Sequence, residues 1–272
     1  MDYRGERCED HHRRFVATPK PSYSFPLDAG LGLDSVESME ANTTSNLKLS
    51  LAVGSLVNTP YVTYQNINYA MMRIIIPYIV SPQALKNVEP NPGLFDITSA
   101  VKYVQFVKSH LLEPLEISAD TTPTPPANHK EFTEYYGKSE AIHGVEDFDS
   151  TLVSGAMGWH MSAFQVAKMM GQLSVLTGPF PGIFDAMKSY GNEFGLGTLA
   201  KADGKNGKPY QGHNGRFVTD IYEMSSCWMT YHSGYAAAYV VNSPILQKFP
   251  LPPPFSSSGR LLLRDAFDIA FP

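Results

Sequence analysis

The sequence is poor in cysteine, in positive charge and in long apolar runs, and each shortage argues against a class of protein. Only Cys8 and Cys227 are present among 272 residues, so there is no disulfide framework. Two cysteines do not indicate whether the protein works in an oxidising or a reducing compartment. Acidic residues outnumber basic ones by 26 to 21, and this balance gives no electrostatic footprint for nucleic acid or an anionic membrane. Arg73 interrupts the longest apolar run, so no membrane span is predicted.

The first residues also lack an apolar segment. Residues 1–7 carry charges where a signal peptide would need an apolar core, so we expect a soluble, cytoplasmic protein without nucleic-acid or membrane partners. Hydrophobic residues make up 43% of the chain and aromatic residues 12%, which argues against wholesale disorder. The 21 prolines and 21 glycines predict many loops around a core that a chain of this length can bury.

Residues 1–44 do not have the pattern of a packed element. A dense mixed-charge cluster around His11 and His12 is followed by closely spaced prolines. Adjacent histidines without spaced partners are usually solvated, so we predict neither a metal site nor a cofactor. We interpret this segment as an irregular extension and place the folded domain at residues 45–272.

The first half of that domain has helical patterns. Residues 69–76 are apolar on nearly every side, which predicts a central helix that Pro77 and Pro82 bring to an end. Thr98 has the position of an N-cap for a second helix, which the sequence Glu113-Pro114-Leu115 stops. A proline- and threonine-rich loop then extends to about residue 151.

The second half changes from helix to strand patterns. Ser162 and Gln165 have the spacing of a capping box at the start of a helix, and Phe184, Met187 and Tyr190 indicate a shorter one. Strands are predicted at residues 211–219, 227–231 and 235–242, and an amphipathic helix at 259–271. This order predicts an α+β fold, an antiparallel sheet flanked by helices, with a helical lobe at about 64–190 and the sheet and terminal helix at about 195–272.

Four signals follow one another along the chain. Tyr64-Gln65-Asn66 precedes an apolar helix, a second helix stops at Pro114-Leu115, a glycine-rich turn at 155–163 opens a third, and Gly212-His213-Asn214-Gly215 enters a strand. Singly, each has a local explanation: Asn66 or Asn68 caps a helix, Tyr64 packs its ring, and His213 bonds a loop. As an ordered series over residues 50–270 they resemble the serine β-lactamase and penicillin-binding-protein superfamily, closest to its β-lactamase-related esterases.

The resemblance implies a fold, a chemistry and roles for particular residues. The fold would be β-lactamase/transpeptidase-like, with a groove between helical lobe and sheet, and the chemistry ester or amide hydrolysis through an acyl-enzyme. Tyr64 would pass a proton between nucleophile and leaving group, Asn66 would orient the substrate, and His213 would hold Tyr64 by a hydrogen bond. Gly215 would let substrate approach the strand, and the backbone N–H of Arg216 would donate to the oxyanion.

The motif that supplies the nucleophile does not fit. The superfamily's Ser-x-x-Lys should precede Tyr-x-Asn, but the only upstream candidate, Ser45 with Lys48, lies 19 residues before Tyr64 and leaves no room for the helical lobe. Ser99 and Lys102 have the same spacing but follow Tyr64. We therefore expect a fold incomplete at its amino terminus and a catalytically incomplete hydrolase whose lineage acted on a small ester or amide.

Three alternatives stay open. The chain could be a pseudoenzyme that keeps the cleft as a binding module, or an active esterase that uses Ser45 and Lys48. It could also be an incompletely captured gene product, unstable by itself. In each case a sheet without its first strands would have an edge that is exposed or covered by residues 1–44, and an exposed edge would allow self-association.

Overall fold

The first described helix begins one residue after the Tyr-x-Asn sequence. The computed structural model describes residues 67–117, 121–124, 134, 149–175, 177–189, 199–203, 207, 209–218, 223–243 and 259–271. Its first helices are α1 Ile67–Ala70, α2 Met72–Val80, α3 Pro82–Lys86 and α4 Pro92–Val107, and α4 continues into a π-helical turn, Lys108–Leu112. The predicted extension at 1–44, and with it Ser45, Lys48, Tyr64 and Asn66, lies outside the described residues.

Helix α2 corrects two expectations. Pro77 does not end the helix, which runs to Val80 with the fully buried proline inside it. Nor is the helix central, because Ile75 and Ile79 are exposed while Arg73 is buried. The second departure has a visible cause: α2 packs against α4 through Arg73, whose guanidinium bonds α4 groups, and this turns the apolar residues of the opposite side outward.

Helix α4 begins seven residues before the predicted start. Its N-cap is Asn91, whose Oδ1 accepts a hydrogen bond from the N–H of Leu94 at 3.1 Å, and Pro92 follows at the first position. The Thr98 cap is therefore wrong, since Thr98 lies inside the helix. The predicted end is confirmed, because the helical turns stop at Leu112 and Glu113 follows as the C-cap.

The next helices agree with the prediction at their starts. After a single 3-10 turn, Thr151–Val153, helix α5 spans Ala163–Ser174 and helix α6 spans Ile183–Ser189. The capping box is confirmed: Ser162 Oγ accepts from the N–H of Gln165 at 3.1 Å, and Gln165 Oε1 accepts from the N–H of Ser162 at 2.8 Å. These two bonds fix where α5 begins.

A four-stranded antiparallel sheet follows. Its strands are β1 Leu199–Asp203, β2 Pro209–Val218, β3 Glu223–Thr230 and β4 Ala236–Val241, paired in sequence order, and helix α7, Gly259–Ala270, comes last. The three predicted strands and the terminal helix are confirmed, whereas β1 was not predicted. β1 also has an irregular register, with a shift between Leu199 and Ala202.

The sheet is covered by helices on both faces. Alternate residues of a strand point to opposite faces, so the neighbours Trp228 and Met229 of β3 report on one face each. Trp228 packs against the buried residues of α5 and α6, whereas Met229 lies in a cluster with Phe267 of α7. The architecture is therefore α+β, and the exact division into lobe and sheet domains remains a prediction.

Candidate functional site

The strand motif lies on β2, with its members divided between the two faces of the sheet. His213 pairs with Trp228, Gly215 with Ser226 and Arg216 with Ser225. Directly paired residues share a face, so His213 and Gly215 lie on the face covered by α5 and α6, and the side chain of Arg216 lies on the other. His213 is half-buried, and Gly215 is exposed. The motif can thus present an imidazole and an open backbone position to the same side.

Within the described residues, β2 has an extension beyond β1 that holds the end of this motif. The last described β1–β2 pair is Leu199 with Gly212, whereas pairing with β3 continues to Val218. Gly215 lies in this extension, where an added Cβ would be 3.0 Å from Ser226 Oγ. A side chain here would be crowded by its neighbour on β3, so the absence of a side chain keeps this stretch of strand accessible.

Gly212 has a structural role at the start of the motif. A Cβ at this position would lie 2.3 Å from the carbonyl oxygen of Trp228, which belongs to the backbone of β3 and cannot rotate away. The strands approach too closely here for any side chain. This glycine is therefore required by strand pairing, and it need not be attributed to catalysis.

One loop connects the motif strand with the end of the short helix α1. At one end of the loop, Gly155 lies so close to α1 that a Cβ would be 2.7 Å from the carbonyl oxygen of Tyr69 and 3.0 Å from that of Ala70. Two residues later, Met157 packs against Phe217 of β2 and Met224 of β3. Phe217 shares the face of His213 and Gly215 by the same alternation. The loop therefore spans from the start of the helical segment to the motif face of the sheet.

One local hydrogen bond and a glycine with a positive φ hold this loop in shape. Trp159 donates its Nε1–H to the carbonyl oxygen of Ser154 at 2.7 Å, which closes the loop on itself. Gly158 has a φ of +87°, and a Cβ there would lie 2.2 Å from Cβ of the buried Ser150. Only glycine fits such a conformation and such a gap. The loop between Ser154 and Trp159 therefore has a defined conformation.

The alternative pair Ser99 and Lys102 does not form a nucleophile and its base. Ser99 is completely buried, donates its hydroxyl proton to the carbonyl oxygen of Asp96 at 3.0 Å, and accepts from Arg73 at 3.0 Å. Lys102 instead donates to Gln105 at 3.3 Å. A nucleophile needs access to substrate and a base within hydrogen-bond reach. Ser99 has neither.

The ion pair of Arg73 with Asp96 gives the hydrogen bonds around Ser99 a structural role. The guanidinium bonds the carboxylate at 3.3 Å and the backbone oxygen of the same residue at 2.9 Å. Burial lowers the pKa of Arg73, while the charge of Asp96 and its hydrogen bond raise it. A buried charge persists when it is paired and hydrogen-bonded, so the network fixes α2 against α4.

A serine–histidine pair in helix α4's π-helical turn was not foreseen in the sequence. In the π-helical turn, Ser109 Oγ lies 2.8 Å from His110 Nδ1, and both residues are exposed. His110 Nδ1 also lies 3.2 Å from the carbonyl oxygen of Phe106, and Ser109 Oγ donates to the carbonyl oxygen of Gln105 at 2.9 Å. Both side chains therefore contact the backbone of the turn that carries them, which is a structural role.

The described part of the chain gives no sign of a metal centre. Within it, no group of three or more His, Cys, Asp or Glu residues is arranged to hold a metal ion. Cys227 is buried in β3 and forms no disulfide. Over the same residues, no helix combines the length and apolar character needed to cross a bilayer.

Comparisons with protein-family models, with curated proteins and with solved structures find no match to this chain. The resemblance to serine β-lactamases therefore stays a prediction from the sequence motifs.

Proposed function

We propose that the chain is a β-lactamase-related serine-hydrolase-fold protein that keeps the cleft of this lineage without forming an acyl-enzyme. The observation that carries the proposal is the loop from Gly155 to Met157, which contacts the start of the helical segment at one end and the motif face of β2 at the other. Of the motifs assigned from the resemblance, Tyr64-x-Asn66 directly precedes the helix at one contact, and His213-x-Gly215 lies on the strand at the other.

The distances along the chain support the same arrangement. Asn66 immediately precedes α1, whose last two carbonyl groups meet Gly155, and Tyr64 precedes Asn66 by two residues. On the sheet side, Phe217 lies two residues beyond Gly215 and four beyond His213 on the same face. In the proposed cleft, Tyr64 and His213 face one another across the space that this loop bounds.

The chemistry of that cleft follows from the groups it would contain. A phenol beside an imidazole can relay a proton, and the N–H groups of a strand edge can stabilise an oxyanion, but neither attacks a carbonyl group. Covalent catalysis also needs an activated hydroxyl group. Ser99 does not supply it, and the pairing of Ser45 with Lys48 is the competing proposal, an active esterase.

Covalent labelling separates these two proposals. The full chain is treated with a fluorophosphonate and, separately, with a fluorescent penicillin, and the intact mass is measured. We expect no stoichiometric adduct, because neither probe finds a hydroxyl group beside a base. A stoichiometric adduct that is lost in Ser45→Ala would establish the esterase, and retention of that adduct in Ser99→Ala would provide the control.

The kinship itself is tested by the environment of His213. Nuclear magnetic resonance of the histidine ring nitrogens is recorded for the unaltered chain, for Tyr64→Phe and for the matched control Tyr61→Phe. We expect Tyr64→Phe to shift the His213 resonances, because it removes a hydroxyl partner, and Tyr61→Phe to leave them in place. Unchanged resonances in both variants would refute the shared cleft whatever the labelling result.

A further inference from the structure

Three residues form a row across the sheet on the face that carries the strand motif. Gly215 of β2 pairs with Ser226 of β3, and Ser226 pairs with Val240 of β4. Directly paired residues share a face, so all three lie on the side covered by α5 and α6. Gly215 is exposed, Ser226 is half-buried and Val240 is 37% exposed. This cross-strand row of Gly215, Ser226 and Val240 is therefore accessible, even though helices pack on the same face.

The neighbouring rows on this face are covered. Two residues along β3 in one direction, Trp228 packs against Phe184 of α6, with ring centroids 6.4 Å apart. Two residues in the other direction, Met224 and its partner Phe217 pack against Met157 of the loop. The cross-strand row is consequently the floor of a trough that has α6 on one side and the loop on the other.

The floor of this trough changes in character along its length. At one end Gly215 has no side chain, and an added Cβ would be 3.0 Å from Ser226 Oγ, so the serine hydroxyl group lies beside open backbone. At the other end Val240 supplies an apolar side chain. Neighbouring strands are about 4.8 Å apart, so about 10 Å separates the two ends. The trough thus combines hydrogen-bonding groups at one end with apolar surface at the other.

The charge of this face favours an uncharged ligand. Among the described residues of β2, β3 and β4, those on the motif face include no Asp, Glu, Lys or Arg, and His213 is the ionisable one. An ion placed on such a surface would lose hydration without gaining a partner of opposite charge. An ester or amide group is neutral, and its carbonyl oxygen can accept a hydrogen bond from the hydroxyl group of Ser226.

We propose that the trough binds uncharged esters or amides of medium-chain carboxylic acids, with the carbonyl oxygen at Ser226 and the acyl chain over Val240. This inference rests on the proposed function for its carbonyl chemistry, and it gives the proposed cleft a ligand class. The acyl chain must cross about 4.8 Å from the serine to the valine, which a medium chain spans and an acetyl group does not.

The test uses two adjacent valines on opposite faces of β4. Val240 lies in the trough, and Val241, which pairs with Ser225, lies on the other face. The full chain with labelled valine methyl groups is titrated with hexanamide and, separately, with acetamide, and nuclear magnetic resonance spectra are recorded. We expect hexanamide to shift the Val240 resonances saturably and to leave those of Val241 in place. Acetamide should shift neither.

A substitution gives a second measurement. Val240→Thr keeps the branched side chain but replaces a methyl group by a hydroxyl group. We expect it to weaken hexanamide binding by about fourfold or more, the effect of roughly one buried methyl group. Val241→Thr is the matched control, and it should bind hexanamide like the unaltered chain.

Several results would overturn the proposal. These are equal shifts of both valines, no shift of Val240, acetamide binding as tight as that of hexanamide, and equal binding by the two threonine variants. Tighter binding of hexanoate than of hexanamide would also overturn it, because hexanoate carries a charge. The test is separable from that of the shared cleft, since the valine methyl groups report on the trough and the Tyr64→Phe experiment reports on His213. Hexanamide bound at Val240, with His213 resonances that do not respond to Tyr64→Phe, would support the ligand class and refute only the kinship.

Discussion

Replacing Gly155 by alanine tests the contact on which the proposed cleft depends. The added Cβ would be 2.7 Å from the carbonyl oxygen of Tyr69 and 3.0 Å from that of Ala70, and carbon–oxygen contacts normally begin at about 3.3 Å. Both oxygens belong to the backbone, so no side chain can rotate to make room. The loop must therefore move away from α1 by roughly half an ångström.

Such a shift has a measurable cost. Forced overpacking in well-packed regions typically costs about 1–3 kcal/mol, and we expect the free energy of unfolding to fall by this amount in Gly155→Ala. The matched control is Gly93→Ala in the first turn of α4, where the nearest atom to an added Cβ is 3.8 Å away. Alanine is the better helix former, so this control should be neutral or more stable by up to about 1 kcal/mol.

The assay is urea unfolding followed by tryptophan fluorescence and circular dichroism. Trp159 lies in the loop and Trp228 in the sheet, so fluorescence reports on the loop and on the sheet. Hydrogen exchange would then locate the change, with faster exchange expected in residues 67–72. If the free energy of unfolding of Gly155→Ala lies within about 0.5 kcal/mol of that of the unaltered chain, the loop does not hold α1 as inferred.

Three further substitutions probe the elements around the site. Gly212→Ala should cost about 3 kcal/mol or more in urea unfolding, because its Cβ would lie 2.3 Å from the backbone oxygen of Trp228; a change below about 1 kcal/mol would contradict the close approach of β2 and β3. Ser162→Ala should cost about 1 kcal/mol through loss of the helix cap, measured as a lower midpoint, whereas an unchanged midpoint would show that the capping box contributes nothing. Burial, then the hydrogen bond to a buried carboxylate and its charge, raise the pKa of Tyr210 from 10.0 to about 12, so its stabilisation is complete below pH 10 and is lost between pH 10 and about 12. Tyr210→Phe should make this alkaline loss of stability smaller, and an identical pH profile would refute the assignment.

Strands β2 to β4 and helix α7 could be predicted from the sequence because their signals are local. Alternating and β-branched residues mark the strands, and apolar residues at helical spacing mark α7. The observed bounds lie within a few residues of the predicted ones, except that β3 begins at Glu223, four residues before its predicted start. β1 was missed because its five residues, LAKAD, include no β-branched or aromatic residue, and pairing with β2 makes them a strand.

The errors in the helical segment arise from tertiary contacts. Seven apolar residues around a single arginine suggested a central helix, but the orientation of α2 is set by Arg73 and its bonds to α4. The start of α4 was recognisable, since Asn91 followed by Pro92 is a strong N-terminal signal, and Thr98 drew attention only because the apolar spacing begins there. An N-cap residue should therefore be sought immediately before a proline at the first position of a helix.

The sequence predicts less of the candidate site than of the fold. Alternation on β2 is enough to place His213 and Gly215 on one face and the side chain of Arg216 on the other, whereas the roles that the resemblance gives these residues stay predictions. The connection through Gly155 and Met157 could not be predicted, because it depends on a close approach between segments 85 residues apart. Glycine at such a position has no distinguishing pattern in a single sequence.

The pair Ser99 and Lys102 explains why the spelling of a motif does not define a nucleophile. Residues three apart share a helix face, so the spacing alone allows a serine hydroxyl group to meet a lysine. Here Asp96 and Arg73 take both hydrogen-bonding directions of the Ser99 hydroxyl group inside the core, while Lys102 turns to Gln105 at the surface. If this account is right, Ser99→Ala destabilises the α2–α4 contact by about 1–3 kcal/mol and changes no probe labelling, whereas a catalytic serine would show the reverse.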